Sequence, residues 1–250
     1  MNFKKVILLI WGGLLIYIIY TFAIDQMDRQ NDKQVYEAIR NSFYGNEALL
    51  EETKGLADVS KDSQKMILER YHSILEINED LVGWITVTNT RIDYPVVKGE
   101  DNDFYLRHNL LKEQSKAGAI FMDFRNKAFL DEEHKILYGH NMRDGSMFKD
   151  LLKYQNEDFL YHNPIIKFST LYEEIKWEIF SVYVTSVDFY YIQTEFNGQQ
   201  AYQDFLKSIK EKSIFNTDVE VSEKDQILTL STCSYDFDNA RFVLHARRIN

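Results

Sequence analysis

The sequence of 250 residues holds a single cysteine and only two prolines. One cysteine excludes an internal disulfide. In an exported protein it leaves a free reactive thiol or an intermolecular link, and its ordinary alternative is a small buried hydrophobe. Two prolines leave no proline-rich linker, and no internal repeat or low-complexity tract is present. Positive charge is in deficit: 29 Lys and Arg against 39 Asp and Glu give a formal net charge of -10. Without a basic face, no nucleic-acid partner is expected, and an acidic domain is a poor candidate for electrostatic adhesion to anionic lipid. No HExxH, EF-hand loop or glycine-rich phosphate loop occurs. The sequence therefore calls for no metal and no cofactor.

What is present begins with a long apolar run, VILLIWGGLLIYIIYTFAI, over residues 6–24. At about 1.5 Å per residue it spans roughly 28 Å, close to the hydrocarbon thickness of a bilayer. Lys4 and Lys5 precede it, and Asp25 and Asp28 follow. The positive-inside rule then puts the N-terminus in the cytoplasm and the rest outside. A cleaved signal peptide is the alternative. It is disfavoured because no small-x-small site follows the run, which is also long for a signal core. The expected organisation is a cytoplasmic tip (1–5), a transmembrane anchor (6–24), a juxtamembrane helical stalk (25–61) and one folded domain (62–250). The roughly 220 residues beyond the anchor suffice for one well-buried domain.

Within that domain, Ile67, Tyr71, Ile74 and Asn78 recur at helical spacing, which predicts an amphipathic helix over 62–77 after a break at 55–61. Strands are predicted over 84–88, 92–97, 118–123, 136–141, 165–169, 175–186, 226–232 and 241–249. A turn falls at Asn89-Thr90, and Pro95 suits an edge strand or a bulge. A short helix is expected over 146–152, with Asp144 as its N-cap. A longer one is expected over 195–212, where Ala201, Tyr202, Phe205, Leu206 and Ile209 share a face. Strands without regular crossover helices favour an antiparallel or mixed barrel over a doubly wound sheet.

The chemistry points to Cys233, at the end of the 226–232 strand among Ser231, Thr232 and Ser234. Side chains alternate across a strand. If Leu228 and Leu230 face the core, Ser231 and Cys233 face away from it. In the last strand Phe242, Leu244 and Ala246 share one face, and Arg241 points the other way. A thiol and a guanidinium then emerge on the same face. Asp236 and Asp238, in the loop between the two strands, read as solvated acids. Of six histidines, His72 and His134 read as surface residues, His162 sits in a loop, and His245 lies too far along the last strand. His140 ends a strand in YGHN, with Tyr138 on its face. Cysteine–histidine pairs are spatial rather than sequential, so spacing does not settle the choice.

Taken together, NEDLVGWI, DNDFYL, GAIFMD, YGHNMRDGSMF, TLSTC and the helix inserted at 195–212 resemble, in that order, the class B sortases. The resemblance runs from about residue 76 to the C-terminus. It implies a closed eight-stranded β-barrel with N-terminal helices. It also implies a membrane-anchored cysteine transpeptidase that cleaves a C-terminal sorting signal, between Thr and Gly or a similar residue. The new carboxyl group is then joined to an amine of the peptidoglycan precursor or of a pilin. By motif, Cys233 is the implied nucleophile, His140 the acid/base and Arg241 the oxyanion or substrate-positioning group. Asn102, Leu106, Tyr138, Tyr191, Ile192, Ser231 and Thr232 are implied to line the signal-peptide groove. The competing readings are a pilin polymerase using the same residues and a non-catalytic surface binding domain on the same barrel. A papain-like protease is disfavoured, because there the cysteine precedes the histidine.

Overall fold

A computed structural model of the chain describes residues 3–53, 66–129, 131–234 and 236–249, with side chains of the first helix described over residues 10–45. The chain falls into two units, Met1–Ala38 and Ile39–Asn250. The first is the N-terminal part of α1 (Phe3–Thr53). Its apolar side chains lie open: Ile16 is 70% exposed and Trp11 66%. This helix is long and apolar enough to cross a membrane.

The second unit begins with the rest of α1, within the segment read as a stalk. Here Ile39 and Phe43, four residues apart on one helical face, are buried. Phe43 stacks on Trp84 with ring centroids 4.0 Å apart and planes at 7°, and the Arg70 guanidinium lies 5.0 Å from the Phe43 ring centre. Trp84 Nε1, Tyr44 Oη and Thr86 Oγ1 all donate to Asp93 Oδ1, at 2.7, 2.8 and 3.1 Å. The C-terminal part of α1 is therefore docked on the barrel wall rather than free. The break expected at 55–61 and the helix start at 62 lie outside the described residues. The rest of that helix is shorter than expected: a 3-10 turn (Glu69–Tyr71) leads into α2 (His72–Ile77). Leu68 is extended, and its N–H donates to Leu171 O at 2.8 Å, so a tertiary bond replaces a helical one.

The described residues then form eight strands: β1 (Leu81–Val87), β2 (Asp93–Val97), β3 (Ile120–Met122), β4 (His134–Tyr138), β5 (Ile165–Thr170), β6 (Lys176–Ser186), β7 (Ile227–Cys233) and β8 (Ala240–Arg248). They close into a barrel in the order β1-β2-β3-β4-β7-β8-β6-β5. Closure leaves no unpaired sheet edge. The pairs β2–β3 and β4–β7 are parallel, and the other six are antiparallel, so the barrel is mixed. Asn89, at φ 60, makes the expected β1–β2 turn. Pro95 lies in β2 just before the pairing with β3, which starts at Val96.

Two further expectations change. Asp144 caps no helix: its Oδ1 accepts from the Ser146 N–H and Oγ within the loop. The segment after it is a 3-10 helix (Phe148–Gln155) followed by α3 (Glu157–His162), whose cap is Asn156, accepting from the Phe159 N–H. The inserted helix, α4 (Gln199–Glu211), covers the outer face of the barrel. Its Tyr202, Phe205, Leu206 and Ile209 cluster with Phe180, Tyr183, Tyr191, Ile227 and Val243. Strand β7 is consequently buried on both faces from Ile227 to Thr232.

The docked aromatic pair predicts a stability effect far from any chemistry. In the chain lacking residues 1–25, Phe43→Ala should lower unfolding free energy by about 3 kcal/mol, the cost of truncating a buried aromatic. Urea unfolding followed by Trp fluorescence measures it. An effect within experimental error would mean that α1 does not pack on Trp84.

Candidate active site

Three adjacent strands, β4, β7 and β8, build the site by register. Tyr138 of β4 pairs with Ser231 of β7 in parallel. Two residues further along each chain come His140, just past the end of β4, and Cys233, the last residue of β7. Parallel neighbours lie about 4.8 Å apart, and His140 and Cys233 line the same cavity. On the other side of β7, Cys233 is the direct antiparallel partner of Arg241. The arrangement anticipated for the thiol and guanidinium is therefore present, with His140 on the opposite flank of the same cysteine.

Local bonds hold these ends in place. Asn141 Nδ2 donates to Cys233 O at 2.8 Å, and the Phe148 N–H donates to His140 O at 2.9 Å. Gly139 is required for close packing: a Cβ there would collide with the side chains of Ile120 and Phe148. His140 Nε2 lies 2.8 Å from Leu106 O. A carbonyl only accepts, so Nε2 carries the proton and Nδ1 is the basic nitrogen of the neutral ring. Arg241 Nη1 donates to Ala240 O at 3.1 Å. Asp236 and Asp238 are exposed, and the Asp236 carboxylate accepts from the Ser234 hydroxyl within the loop.

Cys233, His140 and Arg241, each half-buried, open into a cavity of about 300 Å³. All seven residues assigned to the groove by resemblance line it as well: Asn102, Leu106, Tyr138, Tyr191, Ile192, Ser231 and Thr232. Sequence reasoning missed Phe121, Val187 and Phe189, which complete its apolar walls. A larger depression of about 470 Å³ lies nearby, but it contains neither the thiol nor a histidine. The thiol, the imidazole and the guanidinium all line the smaller cavity.

Sequence reasoning also missed Asp123, the last residue of GAIFMD. It is fully buried. Its carboxylate accepts from Asn102 Nδ2 (3.1 Å), Tyr138 Oη (2.8 Å), and Arg125 Nε and Nη2 (both 2.8 Å). Burial pushes this carboxyl up, but the bonds from Arg125 and Tyr138 outweigh it and hold it below the ordinary carboxylate range. Tyr191 is buried in the α4 cluster, and its Oη lies 2.8 Å from Ser231 Oγ. One side chain thus serves both the packing under α4 and the cavity wall, so truncating Tyr191 would breach both.

His134 is the clearest departure from the sequence reading. It is fully buried, not at the surface. The strand expected from residue 136 starts at His134, which places His134 and Tyr138 on one face. His134 Nε2 lies 2.6 Å from Thr229 Oγ1, which lies 2.6 Å from His245 Nδ1, and His245 Nε2 lies 2.7 Å from Tyr183 Oη. Burial pushes His134 down to about 4, against the opposing bond to Gln193 O. Burial, with His134 beside it, also pushes His245 well below the usual histidine value. Both rings are therefore neutral at physiological pH.

A closed barrel with a thiol, an imidazole and a guanidinium lining one cavity has the groups that cysteine-dependent acyl transfer uses. The chain belongs to the sortase family of cysteine transpeptidases, and within it to class B: the sortase domain matches residues 85–249. Sortase B of Listeria monocytogenes is 38% identical over 218 residues, which cover 86% of this chain and 88% of that protein. Sortase B of Staphylococcus aureus is 35% identical over 246 residues, covering 98% and 93%. The solved structure of a Staphylococcus aureus sortase B–substrate complex matches with a TM-score of 0.78 at 34% identity, covering 90% of this chain and 99% of that one.

The two buried histidines set a pH dependence of stability. Their folded values lie below the model-compound value of 6.5, so between pH 6.5 and about 4 the unfolded chain binds protons that the folded chain refuses. Stability is fully present above pH 6.5 and falls as pH drops, by up to about 1.4 kcal/mol per histidine per pH unit. Urea unfolding at pH 7.5, 6.0 and 5.0 checks this. His134→Asn should flatten the profile, and an unchanged profile would mean that His134 titrates freely in the folded state.

Proposed function

We propose that the protein is anchored in the cell membrane by residues 6–24, with residues 1–5 inside and the barrel outside. There it cuts a C-terminal sorting signal of secreted proteins and joins the new carboxyl group to an amine of the cell-wall peptidoglycan. The observation that carries this reading is that His140, two residues past the end of β4, Cys233 of β7 and Arg241 of β8 line one cavity. The anchor rests on the exposed apolar face of α1 and on the lysines that precede it.

The reaction follows from these groups. The Cys233 thiolate is the attacking species. It adds to the scissile carbonyl carbon of a peptide held by Asn102, Leu106, Tyr138, Tyr191, Ile192, Ser231 and Thr232. The carbonyl π pair moves onto oxygen, and Arg241 stabilises the resulting oxyanion through a permanently charged, planar set of donors. Collapse breaks the C–N bond. Protonated His140 gives its proton to the departing amine, leaving a thioacyl enzyme and a neutral imidazole. The acceptor amine then adds to the thioester, His140 takes its proton, and collapse expels the Cys233 thiolate with a new amide bond formed.

Cys233→Ala should abolish both peptide cleavage and transfer, since no second thiol exists to substitute. His140→Ala should be nearly inactive. Arg241→Lys should lose about 100-fold in kcat/KM despite keeping its charge, because lysine lacks the fork of donors. Turnover of a sorting peptide measures all three, and wild-type turnover by Arg241→Lys would remove the arginine from the mechanism.

The orientation has its own test. Protease added to intact protoplasts should degrade the barrel, whereas full protection would place it on the other side of the membrane.

A further inference from the structure

The segment after β6, residues 187–193, is one wall of the cavity and belongs to no strand or helix. Two consecutive carbonyls of this wall are taken by side chains from elsewhere in the barrel. Arg125 Nη2 donates to Ile192 O at 3.0 Å, and Arg125 Nη1 donates to Tyr190 Oη at 2.9 Å. His134 Nδ1 lies 2.6 Å from Gln193 O.

Both donors are held from behind. Arg125 is forked onto the buried Asp123 carboxylate, the same group that holds Asn102 and Tyr138. A single guanidinium thus links the two sides of the cavity. The direction of the histidine chain is set at its Gln193 end, where a carbonyl can only accept. His134 Nδ1 therefore carries the proton, and Nε2 accepts from the Thr229 hydroxyl. That oxygen accepts from His245 Nδ1–H, and His245 Nε2 accepts from the Tyr183 hydroxyl. Every member donates once and none is charged. None of the four lines the cavity, so the chain serves the wall rather than the ligand.

We propose that Arg125 and His134 are positioning residues that clamp the 187–193 wall, with Arg125 tying that wall through Asp123 to the Asn102 and Tyr138 side. The role in substrate positioning rests on the reading of the cavity as the sorting-peptide groove. A clamped wall presents Tyr191 and Ile192 in one arrangement before the peptide arrives, which lowers the ordering cost of binding.

The experiment uses the full chain and the double variant Asp123→Asn/Arg125→Gln, in which no buried carboxylate is left uncompensated. His134→Ala is compared with His134→Asn, whose amide nitrogen falls near the place of Nδ1. Amide exchange by mass spectrometry reads the wall without any ligand. Turnover of a quenched fluorescent peptide with Thr on the acyl side of the scissile bond reads the groove. The double variant and His134→Ala should exchange residues 187–193 at least about tenfold faster, with β5 unchanged. They should raise KM about tenfold while kcat stays within about twofold, and alkylation of Cys233 by iodoacetamide should be unaffected. His134→Asn should restore both readouts most of the way. Unchanged exchange at 187–193 in the double variant overturns the clamp itself. Faster exchange with an unchanged KM overturns the role in substrate positioning, because it shows that the peptide does not bind against this wall.

Discussion

The site depends on the register of β7 between a parallel neighbour, β4, and an antiparallel one, β8. The period of a strand is two, so a slip of one residue would send Cys233 to the opposite face and away from both partners. What prevents the slip is hydrophobic. Leu137, Leu230 and Leu244, one from each strand, pair across the sheet and are fully buried on the face opposite the thiol. Burial of each is worth about 2 kcal/mol, and a slip would forfeit all three together. Core packing on one face therefore specifies the chemistry on the other.

The outer face of these strands faces a second constraint, because α4 shuts it from water. Thr229, Ser231, His134 and His245 all lie in that covered layer. Buried polar groups cost free energy unless they are hydrogen-bonded. Each of these four is paired, and the pairs extend outward to Tyr183, Tyr191 and Gln193. The polar layer thus connects the barrel wall to the 187–193 segment. A purely apolar layer would cover the strands equally well but would leave that segment without fixed attachment points.

Charge is used sparingly near the site and where it can be balanced. The Asp123–Arg125 pair is largely buried, and such pairs contribute little net stability against apolar replacements. Its value lies in geometry: a forked contact on one side leaves the carboxylate free to accept from Asn102 and Tyr138 on the other. The barrel can therefore carry two irregular loops in a fixed mutual position, which neither loop could hold by its own backbone bonds.

Much of the site was legible in the sequence, for a definite reason. Alternation in two strands joined by a short loop is a local property, and it was enough to put Cys233 and Arg241 on one face. The α4 face and the long apolar N-terminal helix followed from local periodicity and length in the same way, and the motif resemblance pointed to His140 and to residues that line the cavity. Other features needed the tertiary structure. That His140 shares a cavity with Cys233 depends on β4 lying beside β7, and segments so distant in sequence carry no local mark of each other. The burial of His134 was missed because the strand begins two residues earlier than its apolar run suggests, its first position being set by pairing with Ile227. Phe43 read as part of a stalk because its partner, Trp84, belongs to another element. Asp123 read as the end of a strand because two of its partners, Asn102 and Tyr138, lie on segments distant from it in the sequence. The sequence by itself determined which side chains share a face, since that depends only on neighbours along the chain. Which faces meet was decided by the barrel, since strand pairing and closure are relations between segments that only the folded chain brings together.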